Sequence, residues 1–205
     1  MNKIKSVKGV AAPLSIKDVD TDMLIPAQFL TSTSRDGYGE NLFRRLRDQD
    51  PNFVLNLPRY SKAKILVGDS NFGCGSSREH AVWALQGWGF GAVIAKSFAD
   101  IFFSNSSKSG LILVVLPESE VERIRDLAER EQVEIEVNLE KLMVIVTSSL
   151  GVESIPFSYD PFRRHCILEG LDDISYIMSA KSEIDSYRAA QEKVRFYSAK
   201  SPNRN

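Results

Sequence analysis

The sequence predicts an α/β fold with a central parallel β-α-β-α-β unit and a barrel-like β flank. Short apolar runs at 64–68, 92–96 and 111–116 alternate with helix-compatible stretches at 77–88 and 98–107. That order gives parallel strands joined by right-handed crossovers. A second block, 133–157, holds three strand-like runs without a long helix between them. Between the first central strand and its helix lies Gly73-Cys74-Gly75-Ser76-Ser77-Arg78-Glu79-His80, which reads as a glycine loop feeding a helix start.

Each element follows from its local pattern. Residues 4–14 form an opening strand that stops at Pro13, and Val19-Asp20-Thr21-Asp22 is an acidic turn segment leading into Met23-Leu24-Ile25-Pro26. Residues 31–40 are polar and contain Gly37 and Gly39, a mobile loop by composition. A short charged helix spans 41–49, and 51–58 is extended between two prolines. Beyond the central unit, 118–132 sets Val121, Ile124, Leu127 and Ala128 on one stripe, as an amphipathic helix does. Segments 133–138 and 141–147 pair as a hairpin, 152–157 adds a strand, and 162–168 and 172–196 are helical. A single domain therefore spans 1–197, and the polar stretch 198–205 is a frayed tail.

Composition narrows the function classes. A chain of 205 residues needs no disulfide or metal staple to build a core. Its 26 Lys plus Arg and 27 Asp plus Glu leave a formal net charge of −1, which argues against broad nucleic-acid binding. The basic N-terminus lacks an apolar stretch behind it, and no run reaches the ~20 apolar residues of a membrane span. The expected location is cytoplasmic. Two cysteines, Cys74 and Cys166, and two histidines, His80 and His165, form two distant pairs without C-x-x-C spacing. No metal site is expected on this chain, and a four-thiolate iron–sulfur cluster would have to come from another one.

The glycine loop concentrates backbone N–H groups, two hydroxyls and a guanidinium. It is an anion site, suited to carboxylates because the lysine of a triphosphate-binding loop is missing. Ser76-Ser77-Arg78-Glu79 also fits a capping box, with Ser76 as N-cap and Glu79 reaching back. In the other reading, Ser76 or Ser77 faces a substrate, and adjacent serines allow both roles. Arg78 opposes the helix dipole in a first turn, a cost offset if it forks onto a carboxylate. Gly73 and Gly75 relieve strain in the turn. Cys74 and His80 are six residues apart, a poor arrangement for a thiol nucleophile. A serine acting as a base at neutral pH faces a gap of roughly eight pKa units, or about 11 kcal/mol. A helix dipole offers at most ~2 kcal/mol and oxyanion donors several more, so a nearby cation or metal must help.

These residues resemble the swivelling domain of the aconitase superfamily, and within it the small-subunit family of 3-isopropylmalate dehydratases. Val19 to Leu30 resembles VDTDxIIPxxFL, Asn71 to Ala81 matches NFGCGSSREHA, Ser97 to Phe102 matches SFADIF, and Asp160 to Cys166 resembles DxFRRHC. The likeness runs from about residue 5 to about 190 in order and at similar spacing. It departs at Leu111-Ile112-Leu113, where the family has Leu-Leu-Pro, and at Asn105-Ser106-Ser107-Lys108, which is poorer in asparagine.

The resemblance implies a swivelling β/β/α domain, like the aconitase C-terminal domain, that caps a separate large subunit carrying a [4Fe-4S] cluster. It implies isomerisation of 2-isopropylmalate to 3-isopropylmalate through isopropylmaleate, in leucine biosynthesis. Ser76 would be the proton-taking base, Ser77 and Arg78 would bind substrate carboxylates, and Gly73, Cys74, Gly75 and Glu79 would support the loop. Arg35 would belong to a substrate-discriminating loop, 27–37. Two other readings stay open: a related hydratase subunit of homoaconitase or citraconate type, and a non-catalytic anion-binding regulatory α/β module.

Overall fold

A computed structural model describes the backbone of residues 2–30 and 37–199, and the side chains of those up to 191. The chain order is β1 (Ser6–Pro13), α1 (Thr21–Leu24), α2 (Arg44–Gln49), β2 (Ile65–Val67), α3 (Glu79–Trp88), β3 (Ala92–Ala95), α4 (Asp100–Ser109), β4 (Ile112–Val115), α5 (Glu118–Arg130), β5 (Glu134–Asn138), β6 (Met143–Ser148), β7 (Gly151–Pro156), α6 (Pro161–Glu169), α7 (Asp173–Ser179) and α8 (Lys181–Ala199). Among the described residues no helix is long and apolar enough to cross a membrane.

Seven strands form one sheet in the order β4-β3-β2-β1-β5-β6-β7. The expected α/β class holds, with the parallel unit at one end and the antiparallel block at the other. Strand β1 joins them: Ala11 to Pro13 pair in parallel with Ile65 to Val67, and Ser6 to Val10 pair antiparallel with Asn138 to Glu134. Every residue of β2 and β3 is buried, as expected of parallel strands covered on both faces. Strand alternation then divides the core in two. Leu66, Val93 and Leu113 pack with Val82 and Leu85 of α3 and Phe102 of α4. Ile65, Val67 and Ile94 point the other way, to Val121, Ile124 and Ala128 of α5 and to Ile135, Val137, Val144 and Val146 of the hairpin. Leu127, expected on the same stripe as these α5 residues, sits at its margin, partly buried.

Several segments differ from expectation. Residues 51–58 are not extended, because two short 3-10 turns, Val54–Asn56 and Pro58–Tyr60, fold them over the core and bury Leu55 and Tyr60. The long C-terminal helix breaks at Ala180 into α7 and α8. The stretch read as a mobile loop is tightly held from Tyr38 on, where Tyr38 and Gly39 are buried in a 3-10 turn. A Cβ on Gly39 would lie 2.2 Å from the Gly87 carbonyl carbon. Glycine is there for close approach to α3, not for flexibility.

Candidate active site

The site is assembled at the carboxyl ends of β2 and β3, where open parallel sheets place their ligands. Just past β2, Asp69 is only 3% exposed. Its carboxylate accepts from Arg125 Nη1 at 2.5 Å and from the Ser70 N–H at 2.7 Å, and it pairs with Lys96 Nζ at 3.2 Å. Burial alone would push this carboxyl up, but the hydrogen bonds from Arg125, Ser70 and Lys96 prevail and hold it at about 2. Lys96 also reaches Glu118 at 2.6 Å and Glu122 at 2.7 Å. The segment after β3 therefore anchors the loop base through its lysine instead of offering it to a ligand.

Two neighbouring segments hold the glycine loop from either side. The Phe72 N–H donates to Ser97 O at 3.0 Å, and the Ala99 N–H donates to Phe72 O at 3.0 Å. On the opposite flank the N–H groups of Gly73 and Cys74 both donate to Val19 O, at 2.7 and 3.2 Å, and the Thr21 N–H donates to Cys74 O at 3.0 Å. Gly73 has φ +80°, and a Cβ there would sit 2.2 Å from the Phe102 ring. Both the backbone and the space demand glycine.

This framework corrects the capping box. Helix α3 starts at Glu79, with Arg78 at the N-cap and no side-chain cap. Ser76 lies two residues too early, because Gly75 at φ +89° turns the chain out of helical geometry. Its hydroxyl is thereby released from capping. Ser76 and Ser77 are exposed, and both line a pocket of about 240 Å³ together with Thr21, Arg78 and Asn105. Asn105 Nδ2 donates to Ser77 Oγ at 3.3 Å. Thr21 Oγ1 donates to Ser76 O at 3.0 Å and lies 3.5 Å from Ser76 Oγ.

Arg78 does fork onto a carboxylate, and the carboxylate is the chain's own Asp22. Nη1 donates to Oδ1 at 2.5 Å and Nη2 to Oδ2 at 3.1 Å. The Arg78 hydrogen bond holds the Asp22 carboxyl below its ordinary value. Since a guanidinium has five N–H donors, this pairing orients Arg78 and leaves donors for a ligand. Sequence reasoning missed the roles of Thr21 and Asp22, seeing only an acidic turn. The available signal was Asp20 ahead of a short apolar run: its side chain caps α1 through the Met23 N–H at 2.6 Å, which aims the next two residues at the loop.

The remaining candidates fall into place. His80 packs edge-on against Trp83, with ring centroids 4.8 Å apart, and against Tyr38 at 5.2 Å. Cys74 Sγ donates to Asp18 O at 3.4 Å, and burial, reinforced by Asp20 and Asp18, pushes its thiol up. A protonated thiol is a poor nucleophile. Glu79 opens α3 and is exposed. Arg35 lies outside the described residues. No group of three or more His, Cys, Asp and Glu side chains gathers as for a metal ion among the described residues. A second groove of about 300 Å³ carries Asp50, Glu129 and Arg59, and its acidic excess suits a carboxylate ligand poorly.

Comparison with known proteins places the chain in a family. Residues 1–119 match the aconitase C-terminal domain family. The 3-isopropylmalate dehydratase small subunit of Francisella philomiragia is 44% identical over 191 residues, covering 93% of this chain and 99% of that protein. Its counterpart in Paracoccus denitrificans is 46% identical over 195 residues, covering 92% and 96%. A crystal structure of 3-isopropylmalate dehydratase from Methanocaldococcus jannaschii superposes with a TM-score of 0.66 at 30% identity, covering 89% of this chain and 99% of that one. With its glycine loop inside the region matched by the family and with relatives 44–46% identical over most of its length, the chain belongs to the small-subunit family of 3-isopropylmalate dehydratases in the aconitase superfamily.

Proposed function

We propose that this chain is the small half of a heteromeric hydro-lyase that isomerises 2-isopropylmalate to 3-isopropylmalate through isopropylmaleate, in the leucine pathway of the cytoplasm. The observation that carries this reading is the meeting of Ser76, Ser77 and Arg78 in one pocket, with Arg78 held by Asp22. Residues 1–197 act as one swivelling domain; of the stretch read as a tail, residues 200–205 lie outside the described residues and α8 runs on to Ala199.

In this reading Arg78 and Ser77 bind carboxylates of the substrate and fix its orientation. Ser76 Oγ, in its ionised form, takes the proton from the carbon next to the hydroxyl-bearing one as the hydroxyl departs as hydroxide, and the serine proton and that hydroxide together make up the water lost in forming the maleate. In the return step the serine gives a proton to the carbon that lost its hydroxyl while hydroxide adds at the carbon that lost its proton. Two cysteines do not fit a [4Fe-4S] cluster, which normally takes four thiolates, so we assign that group to a partner large subunit. When bound there, the cluster supplies a Lewis acid for the departing hydroxyl. Discrimination among malate-type acids is assigned to segment 27–37, including Arg35.

Purified alone, the chain is expected to be inactive in isopropylmaleate hydration, and activity is expected on mixing with the large chain under anaerobic conditions. Strong activity without a partner would reject the division of labour. Arg78→Lys keeps the charge but loses the fork that meets both Asp22 and substrate. It is expected to weaken substrate binding by about 1–3 kcal/mol, read as a raised KM. Parental KM and kcat in that variant would remove Arg78 from carboxylate binding.

A further inference from the structure

Four polar or charged side chains are buried among the described residues: Thr21, Asp69, Ser106 and Ser107. Asp69 is taken up by Arg125 and Lys96, and Ser107 turns back onto Ser104 O within α4. Thr21, at 2% exposure, is the one of the four that lines the serine pocket.

From this geometry we infer that Thr21 is the positioning residue of Ser76. The Thr21 hydroxyl donates to Ser76 O at 3.0 Å and lies 3.5 Å from Ser76 Oγ, where either hydroxyl can be the donor. Ser76 is thus gripped at its carbonyl and flanked at its hydroxyl by one buried group. Without that grip the peptide after Gly75, which sits at φ +89°, can rotate and carry Oγ off the line of attack. The loop as a whole does not depend on this hydroxyl. The backbone bonds from Thr21 N to Cys74 O and from Gly73 and Cys74 to Val19 O hold it in any case. Removing the hydroxyl alone therefore releases Ser76 while leaving the loop attached. The inference rests on Ser76 being the proton-taking group.

The test compares Thr21→Val, Thr21→Ser and Thr21→Ala in the assembled two-chain enzyme, with Ser76→Ala alongside. A displaced base slows proton removal and leaves carboxylate binding intact. Thr21→Val is expected to lower kcat about 10- to 100-fold, the scale of a small misplacement of a reacting group, with KM nearly unchanged. Substrate deuterated at the abstracted position should show a larger isotope effect on kcat in Thr21→Val than in the parent. Thr21→Ser should recover most of the rate and Thr21→Ala should not, since these two differ only in the hydroxyl. Parental kcat and isotope effect in Thr21→Val would overturn the inference, as would equal impairment in Thr21→Ser and Thr21→Ala. Failure of the Val, Ser and Ala variants alike to assemble with the partner would make Thr21 a structural residue and also overturn it. Parental kcat in Ser76→Ala is a separate result, which would remove the base on which the inference stands.

Discussion

Ser76→Ala, assembled with its large subunit, is expected to lose turnover by about 10²- to 10⁴-fold, the usual contribution of a positioned general base. The variant is expected to fold and pair normally, because the Ser76 side chain is exposed and does not cap α3. The loop bonds around it are made by backbone groups and by Thr21, whose acceptor on residue 76 is a carbonyl that alanine also carries. KM should change less than kcat, since we assign carboxylate binding to Arg78 and Ser77. The measurement is steady-state kinetics of isopropylmaleate hydration beside co-purification with the partner. A kcat within about twofold of the parent would eliminate Ser76 as the base.

The second large effect is on stability. Asp69→Ala leaves the Arg125 guanidinium, 12% exposed, without its ion-pair partner, whereas Lys96 keeps Glu118 and Glu122. Breaking a buried pair by removing one member costs about 3–5 kcal/mol, a large share of the ~5–15 kcal/mol that holds a domain together. Denaturant unfolding of the isolated chain at neutral pH measures it, and a loss below about 1 kcal/mol would show that the network contributes little. The pH dependence follows from the same group. The folded Asp69 carboxyl sits at about 2, below its ordinary 3.8. Its ionised form therefore stabilises the fold above about pH 4, and that contribution is lost as pH falls towards 2. Asp69→Ala should flatten the acid limb of the parent's stability profile over that window.

How far the sequence could be read depended on the range of each interaction. The strands within 64–68 and 92–96 were legible from the apolar residues 65–67 and 92–95 because both faces of a parallel strand are covered, and the structure buries β2 and β3 throughout. The hairpin was legible through the alternation of Ile135 with Val137 and Val144 with Val146, one face of which packs on the core. The helix start was misread because Ser76-x-x-Glu79 satisfies a local rule that Gly75 and a distant hydroxyl override. The pairs Thr21–Ser76 and Asp22–Arg78 span 55 and 56 residues, and side chains that meet across such a gap leave no periodic trace. Gly39 looked flexible for the same reason. Its partner, Gly87, sits on a helix nearly fifty residues later, and only the folded chain shows the two backbones in contact. Motifs marked the glycine loop as the candidate site, and the structure adds what braces it.

The most direct measurement is a structure of the two-chain complex with a non-reacting analogue of 2-isopropylmalate. Ser76 Oγ is expected about 3–3.5 Å from the carbon that loses its proton, the separation of a near-attack geometry, with Arg78 donating to a carboxylate of the analogue while still paired to Asp22. A complex in which the loop from Gly73 to Arg78 faces away from the bound analogue, with that carbon approached by a side chain of the partner instead, would contradict the proposed role of this chain.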